Sequence, residues 1–175
     1  MTATIVVAFD CPFEGQTPTD QVVRVAKWFD GIGVTTLKLG DTIGSASPSR
    51  VKAVVEAVRN ELPDTELVLH FHNTRGMGLA NVMAGIEVGV RRFESSIGGI
   101  GGCPFAPGAT GNISTEDLVH LLHLEGHETG IELEPLIEAG RFVADVLGRP
   151  VPAALQSATP VGVLHEFDPS TRAKG

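Results

Sequence analysis

The hydrophobic pattern alternates between two periods along most of the chain. "TIVVAF" (4–9) is a continuous β-branched run of the kind found in buried parallel strands. "PTDQVVRVAKWFDGIG" follows, with Val22, Val25, Ala26 and Phe29 at helical spacing and glycines at its end. "TTLKLG" (35–40) predicts a second strand. "SPSRVKAVVEAVRN" predicts a second helix, entered through Ser47 and then Pro48, a capping residue followed by a residue suited to the first helical position. "ELVLHFH" (66–72) is a third strand, "GMGLANVMAGIEVG" a glycine-rich third helix and "RRFESSIG" (91–98) a fourth strand. The strands begin near residues 4, 35, 66 and 91, a spacing that fits successive strand–helix units of a parallel α/β fold.

Beyond the fourth strand the pattern changes. "GGIGGCPFAPGATGNI" is too rich in glycine and proline for regular structure. Ser114-Thr115-Glu116-Asp117 reads as a helix start before "LVHLLHLEG", and "EPLIEAGRFVADVLG" as a last helix closing at Gly148. These elements define one domain over 1–149. Residues 150–175, punctuated by Pro150, Pro152, Pro160 and Pro169, are expected as an extended tail whose last few residues are mobile.

Composition narrows the function classes. The chain has 175 residues and 42% hydrophobic content, enough for a core. Its 13 Lys+Arg against 21 Asp+Glu argue against a nucleic-acid binder. No apolar run is long enough for a membrane span, and "MTATIVVAFD" lacks the basic start of a signal peptide. The two cysteines, Cys11 and Cys103, do not suggest a disulfide scaffold, so a reduced cytoplasmic setting is expected.

Polar side chains gather at the carboxyl ends of the expected strands, where α/β folds place their sites. The first strand runs into Asp10-Cys11, the second into Asp41-Thr42, the third into His70, His72 and Asn73, and the fourth into Ser95-Ser96. His70 and His72, two apart on a strand, share a face. Two imidazoles so placed either ligate a metal or are ordinary half-buried histidines at a strand end. Cys103 is either a small loop residue or an accessible thiol. Asp41 can equally cap the turn that follows it, and Asn112 alone is an ordinary turn residue. The loop "GGIGG" fits neither the dinucleotide nor the P-loop pattern. His120, His123 and His127 would share a helix face, as a second metal site or simply as a solvated face.

The motifs "CPFEG", "LGDTIG", "HFHNTRGMGLAN", "SSIGGIGGCPFAPGATGN" and "STEDLVHLL" occur in that order. With them the chain resembles the 3-hydroxy-3-methylglutaryl-CoA lyase family, metal-dependent TIM-barrel enzymes, from about residue 4 to about residue 148. The resemblance implies a divalent cation, Mg²⁺ or Mn²⁺, on His70, His72 and Asn112. It implies proton transfer by Cys103, an active-site position for Asp41, and cleavage of an acyl-CoA substrate to acetyl-CoA and acetoacetate. Asn73 stands where the family often has Asp. A whole barrel needs roughly 250 residues, and these four strands resemble its C-terminal half. The family's R-D-G motif, which carries a further metal ligand and base, is absent. The expectation is therefore a lyase half that works with a complementary half-barrel chain or by self-association. Two alternatives remain: an inactive module binding metal or CoA thioester, and an acetyl-CoA-dependent enzyme condensing 2-oxoacids.

Overall fold

The computed structural model describes residues 1–102, 108, 111–158 and 163. The first strand, β1 (Thr2–Ile5), is followed by a small antiparallel hairpin of β2 (Asp10–Cys11) and β3 (Gly15–Gln16). Then come α1 (Thr19–Gly31), β4 (Thr36–Asp41), α2 (Pro48–Glu61), β5 (Glu66–Phe71), α3 (Gly78–Glu87) and β6 (Arg92–Glu94). A 3-10 turn at Ile97–Gly99 precedes α4 (Thr115–Leu124) and α5 (Leu133–Leu147). β1, β4, β5 and β6 form one parallel sheet in that order, successive strands being joined through α1, α2 and α3. The α/β class expected from the alternating pattern is the class observed.

One face of this sheet is the core. Leu37 and Leu39 of β4 and Leu67, Leu69 and Phe71 of β5 pack against Val22 and Ala26 of α1, Val51, Val54, Val55 and Val58 of α2, and Val82 of α3. The four valines of α2 recur at i, i+3, i+4 and i+7, so β-branched residues of modest helix propensity are held helical by burial of their shared face. Ser47 caps α2 by accepting from Arg50 N at 3.4 Å, and Gly148 closes α5 at φ 62°. Alternate residues on the same strands, Lys38, His70, Arg92 and Glu94 among them, point to the other face, which no helix covers among the described residues.

Three boundaries differ from expectation. The first strand stops at Ile5 rather than continuing to Phe9, and Val6 is 58% exposed. The chain is drawn aside because Ala8 N donates to Gly40 O at 3.0 Å and Thr17 Oγ1 donates to Val7 O at 2.8 Å, a tertiary effect invisible to periodicity. The fourth strand ends at Glu94, since Ser96 N turns to donate to Ile113 O at 3.1 Å. The segment from residue 150, expected as an extended tail, is docked as far as Gln156. Ala154 N and Leu155 N donate to the Asp117 carboxylate, both at 3.0 Å, and a 3-10 turn forms at Ala154–Gln156. The mobile end expected beyond it lies outside the described residues. Among the described residues no helix is long and apolar enough to cross a membrane.

Candidate active site

β5 carries two consecutive layers of side chains at its carboxyl end. Phe71 turns into the core, where its ring lies 6.1 Å from that of Phe9. His70 and His72 turn to the opposite face, their ring centroids 5.3 Å apart. Period-two alternation thus separates a packing residue from two imidazoles.

Asn112 lies 40 positions beyond His72 and reaches it through a wedge of extended chain. Ile113, fully buried, donates from its N to Phe71 O at 3.1 Å and accepts from Ser96 N at 3.1 Å. It therefore sits between the ends of β5 and β6. On one side of it Asn112 forms an isolated antiparallel bridge with His72, and Asn73 N donates to Gly111 O at 2.9 Å. Two glycines permit this wedge. A Cβ on Gly111, at φ 131°, would stand 2.1 Å from Gly99 O. A Cβ on Gly78 would stand 2.2 Å from Ile113 Cγ2. Asn73 accepts from Gly78 N at 3.1 Å through Oδ1 and so ties the start of α3 to the same point.

The polar atoms here are not all satisfied. His72 is 6% exposed, and its Nδ1 is buried without a hydrogen-bond partner among the described residues. Asn112 donates through Nδ2 to Ile100 O at 3.0 Å, while its Oδ1 is buried and has no partner among the described residues. Buried orphans of this kind are uncommon and mark strain or a missing ligand. Burial, with a smaller contribution from the charge His70 can carry, holds the His72 pKa below its ordinary 6.5 and keeps the ring neutral. A neutral imidazole is the form that ligates a metal. His70 is held differently, with its Nδ1 3.1 Å from Glu94 Oε2. The other Glu94 oxygen pairs with Lys38 Nζ. Burial pushes the Glu94 carboxyl up, but Lys38 and then His70 outweigh it and draw its pKa below the usual value.

Asp41 is close but engaged elsewhere. Its backbone O accepts from His72 N at 3.4 Å, while its carboxylate accepts from Ser45 N at 3.0 Å and Ala46 N at 3.2 Å. That carboxylate caps the turn after β4. Burial raises its pKa; the two backbone donors oppose this, Asp10 adds to it and Arg75 opposes it. Asp10 is linked to the same turn, accepting from Ser45 Oγ at 2.7 Å. Cys103 lies outside the described residues. Of the five residues singled out from sequence, the structure gathers His70, His72 and Asn112 at one strand end and sets the Asp41 carboxylate behind them.

Glu94 and Lys38 were not singled out. Their signal is parity: Glu94 pairs with His70 in the strand register, and Lys38 falls on the same face of the next strand. A lysine between two buried leucines, Leu37 and Leu39, is itself unusual. Among the described residues no three His, Cys, Asp or Glu side chains lie close enough to hold a metal. The donor set is two imidazoles and an amide. His123 Nε2 lies 2.9 Å from Thr129 Oγ1, so among the described residues a hydroxyl, not a metal-ligand cluster, engages it.

A family model described as HMGL-like matches residues 1–143. The (R)-citramalyl-CoA lyase of Chloroflexus aurantiacus is 46% identical over 154 residues, 88% of this chain and 49% of that protein. The hydroxymethylglutaryl-CoA lyase YngG of Bacillus subtilis is 40% identical over 151 residues, 86% of this chain and 50% of that protein. Among solved structures, an HMG-CoA lyase from Acinetobacter baumannii in complex with coenzyme A and 3-methylmalate superposes with a TM-score of 0.90 at 43% identity, covering 95% of this chain and 55% of that one. The chain spans about half the length of the curated relatives it matches.

Proposed function

The chain belongs to the HMGL-like family, and on that premise we propose that it forms the His- and Asn-bearing part of a carbon–carbon lyase acting on a 3-hydroxyacyl-CoA thioester. The observation that carries this reading is a pair of buried atoms without a hydrogen-bond partner among the described residues, His72 Nδ1 and Asn112 Oδ1, on two residues that bridge each other, with the His70 ring next to that of His72. These groups fit a divalent cation, Mg²⁺ or Mn²⁺, with His70, His72 and Asn112 as its protein ligands. When bound, such a cation supplies Lewis acidity toward a substrate oxygen and lowers the pKa of a hydroxyl.

The reaction is a retro-Claisen cleavage. The C3 hydroxyl loses its proton and its oxygen becomes a carbonyl as the C2–C3 bond breaks. The electron pair passes to C2, giving the enolate of acetyl-CoA, which then takes a proton. His72, kept neutral by burial, offers a lone pair rather than a charge. The Asp41 carboxylate, tied to Ser45 and Ala46, serves as a brace for the turn rather than as the base. Cys103 keeps the proton-donor role that the resemblance implies. The base, and the carboxylate ligand the donor set lacks, would come from a complementary half-barrel. The free edges of β1 and β6 among the described residues support such a partner.

The first substrate to try is 3-hydroxy-3-methylglutaryl-CoA, giving acetyl-CoA and acetoacetate. (R)-citramalyl-CoA comes next, because the relative named for it is 46% identical. The test mixes this chain with the segment of the Bacillus subtilis relative that the match leaves uncovered, adds Mn²⁺ and either ester, and follows acetyl-CoA. Release by the mixture supports the reading. Failure of both esters in a mixture shown to associate contradicts it, and release by the chain alone removes the need for a partner.

A further inference from the structure

Lys38, His70 and Glu94 stand on three adjacent strands and meet on the uncovered face of the sheet. In the parallel register Glu94 of β6 is the partner of His70 on β5. Its Oε2 lies 3.1 Å from His70 Nδ1, and its Oε1 is paired with Lys38 Nζ from β4. We propose that Glu94 is a positioning residue: it fixes the tautomer and ring angle of His70 so that Nε2 faces the cation site, and Lys38 holds Glu94 in place. This rests on the metal-site reading given above.

The argument is one of donors and acceptors. An ionised carboxylate only accepts, so the contact requires a hydrogen on Nδ1 of His70. In the neutral ring that leaves the lone pair on Nε2. Both carboxylate oxygens of Glu94 are engaged, so it stands behind His70 and is not itself a ligand. A carboxylate behind a ligating imidazole raises its basicity and removes its rotational freedom. Lys38 is the reason the carboxylate stays put. Without it, one Glu94 oxygen would be free and the side chain could swing along the open face. Among the described residues His72 has no such support, for its Nδ1 has no hydrogen-bond partner there. Its orientation comes from burial and from the bridge to Asn112. The two imidazoles are thus set by different means, and removing Glu94 should loosen only one of them.

The experiment has two readouts on the full chain. Nitrogen-15 NMR of the metal-free protein, with His70 assigned through His70→Gln, should show the Nδ1–H tautomer in the wild type and a mixed population in Glu94→Gln. Mn²⁺ affinity, measured from the paramagnetic resonance of the free ion, should fall about tenfold or more in Glu94→Gln. It should fall less in Lys38→Met and recover in part in Glu94→Asp, with the unfolding midpoint little changed. An unchanged tautomer in Glu94→Gln overturns the proposal, whatever happens to affinity. So does an unchanged Mn²⁺ affinity alongside a wild type that binds. A wild type that binds no Mn²⁺ removes the metal-site reading instead, and the tautomer of His70 still decides the role of Glu94.

Discussion

The two faces of the four-stranded sheet are built from the same strands and do opposite work. On the helix side Leu37, Leu39, Leu67, Leu69 and Phe71 are buried among the valines of α2. On the other side Lys38, Glu66, His70, Arg92 and Glu94 form ion pairs and hydrogen bonds in partial contact with solvent. One residue along a strand changes a side chain's task from holding the fold to presenting chemistry. Stability should therefore be sensitive to one parity of the strands and cation affinity to the other. His72, buried, and Asn112, half-buried, occupy the junction, where His72 Nδ1 and Asn112 Oδ1 lack partners among the described residues.

The largest effect is expected on the helix side. Leu69→Ala empties a fully buried position and should cost about 2–5 kcal/mol in urea unfolding, leaving Mn²⁺ affinity of the folded fraction intact. A loss much smaller than that would mean that the covered face is not the core. Gly111→Ala tests the junction. The added Cβ meets Gly99 O, so the wedge must shift, at a cost of roughly 1–3 kcal/mol, and Asn112 moves with it. Here stability and Mn²⁺ affinity should fall together; a change in only one would separate the wedge from the site.

His72 gives the comparison a pH dependence. Its folded pKa lies below the ordinary 6.5, so the unfolded chain binds the proton more readily. The stability this contributes to the metal-free protein is present above pH 6.5 and is lost as pH falls toward the depressed folded value. Urea midpoints across that window should drop more for the wild type than for His72→Gln, and parallel curves would count against a buried neutral ring. The smallest effect belongs to the open face. Arg92 reaches Glu66 at 2.7 Å with both side chains well exposed, so Arg92→Ala should cost less than about 1 kcal/mol. A larger loss in unfolding experiments would show that the polar face also carries the fold.

Local signals were readable in the sequence because they are local. Ser47 before Pro48 and Ser114 three residues before Asp117 announce helix starts that the structure keeps. The same-parity histidines at the end of β5, His70 in the strand and His72 just beyond it, need only strand periodicity. The end of the first strand is hidden in the sequence, because the apolar run through Val6–Phe9 conceals the hydrogen bonds to Gly40 and Thr17 that pull the chain aside. Asn112 was legible only through the resemblance, since its place beside His72 depends on Ile113 lodging between two strand ends. In the sequence Glu94 is masked by the neighbouring Ser95-Ser96, although its register with His70 follows once the strands are aligned. The docking of Ala154 and Leu155 on Asp117 pairs backbone with a carboxylate 37 and 38 positions away, a contact no composition rule signals.

The central claim is that His70, His72 and Asn112 share one cation. The most direct measurement is Mn²⁺ titration of the full chain, followed by the paramagnetic resonance of the free ion, for the wild type, His72→Ala and Asn112→Ala. The account predicts one site in the wild type and marked weakening in each variant. A wild type without a site, or variants that bind as it does, would contradict it.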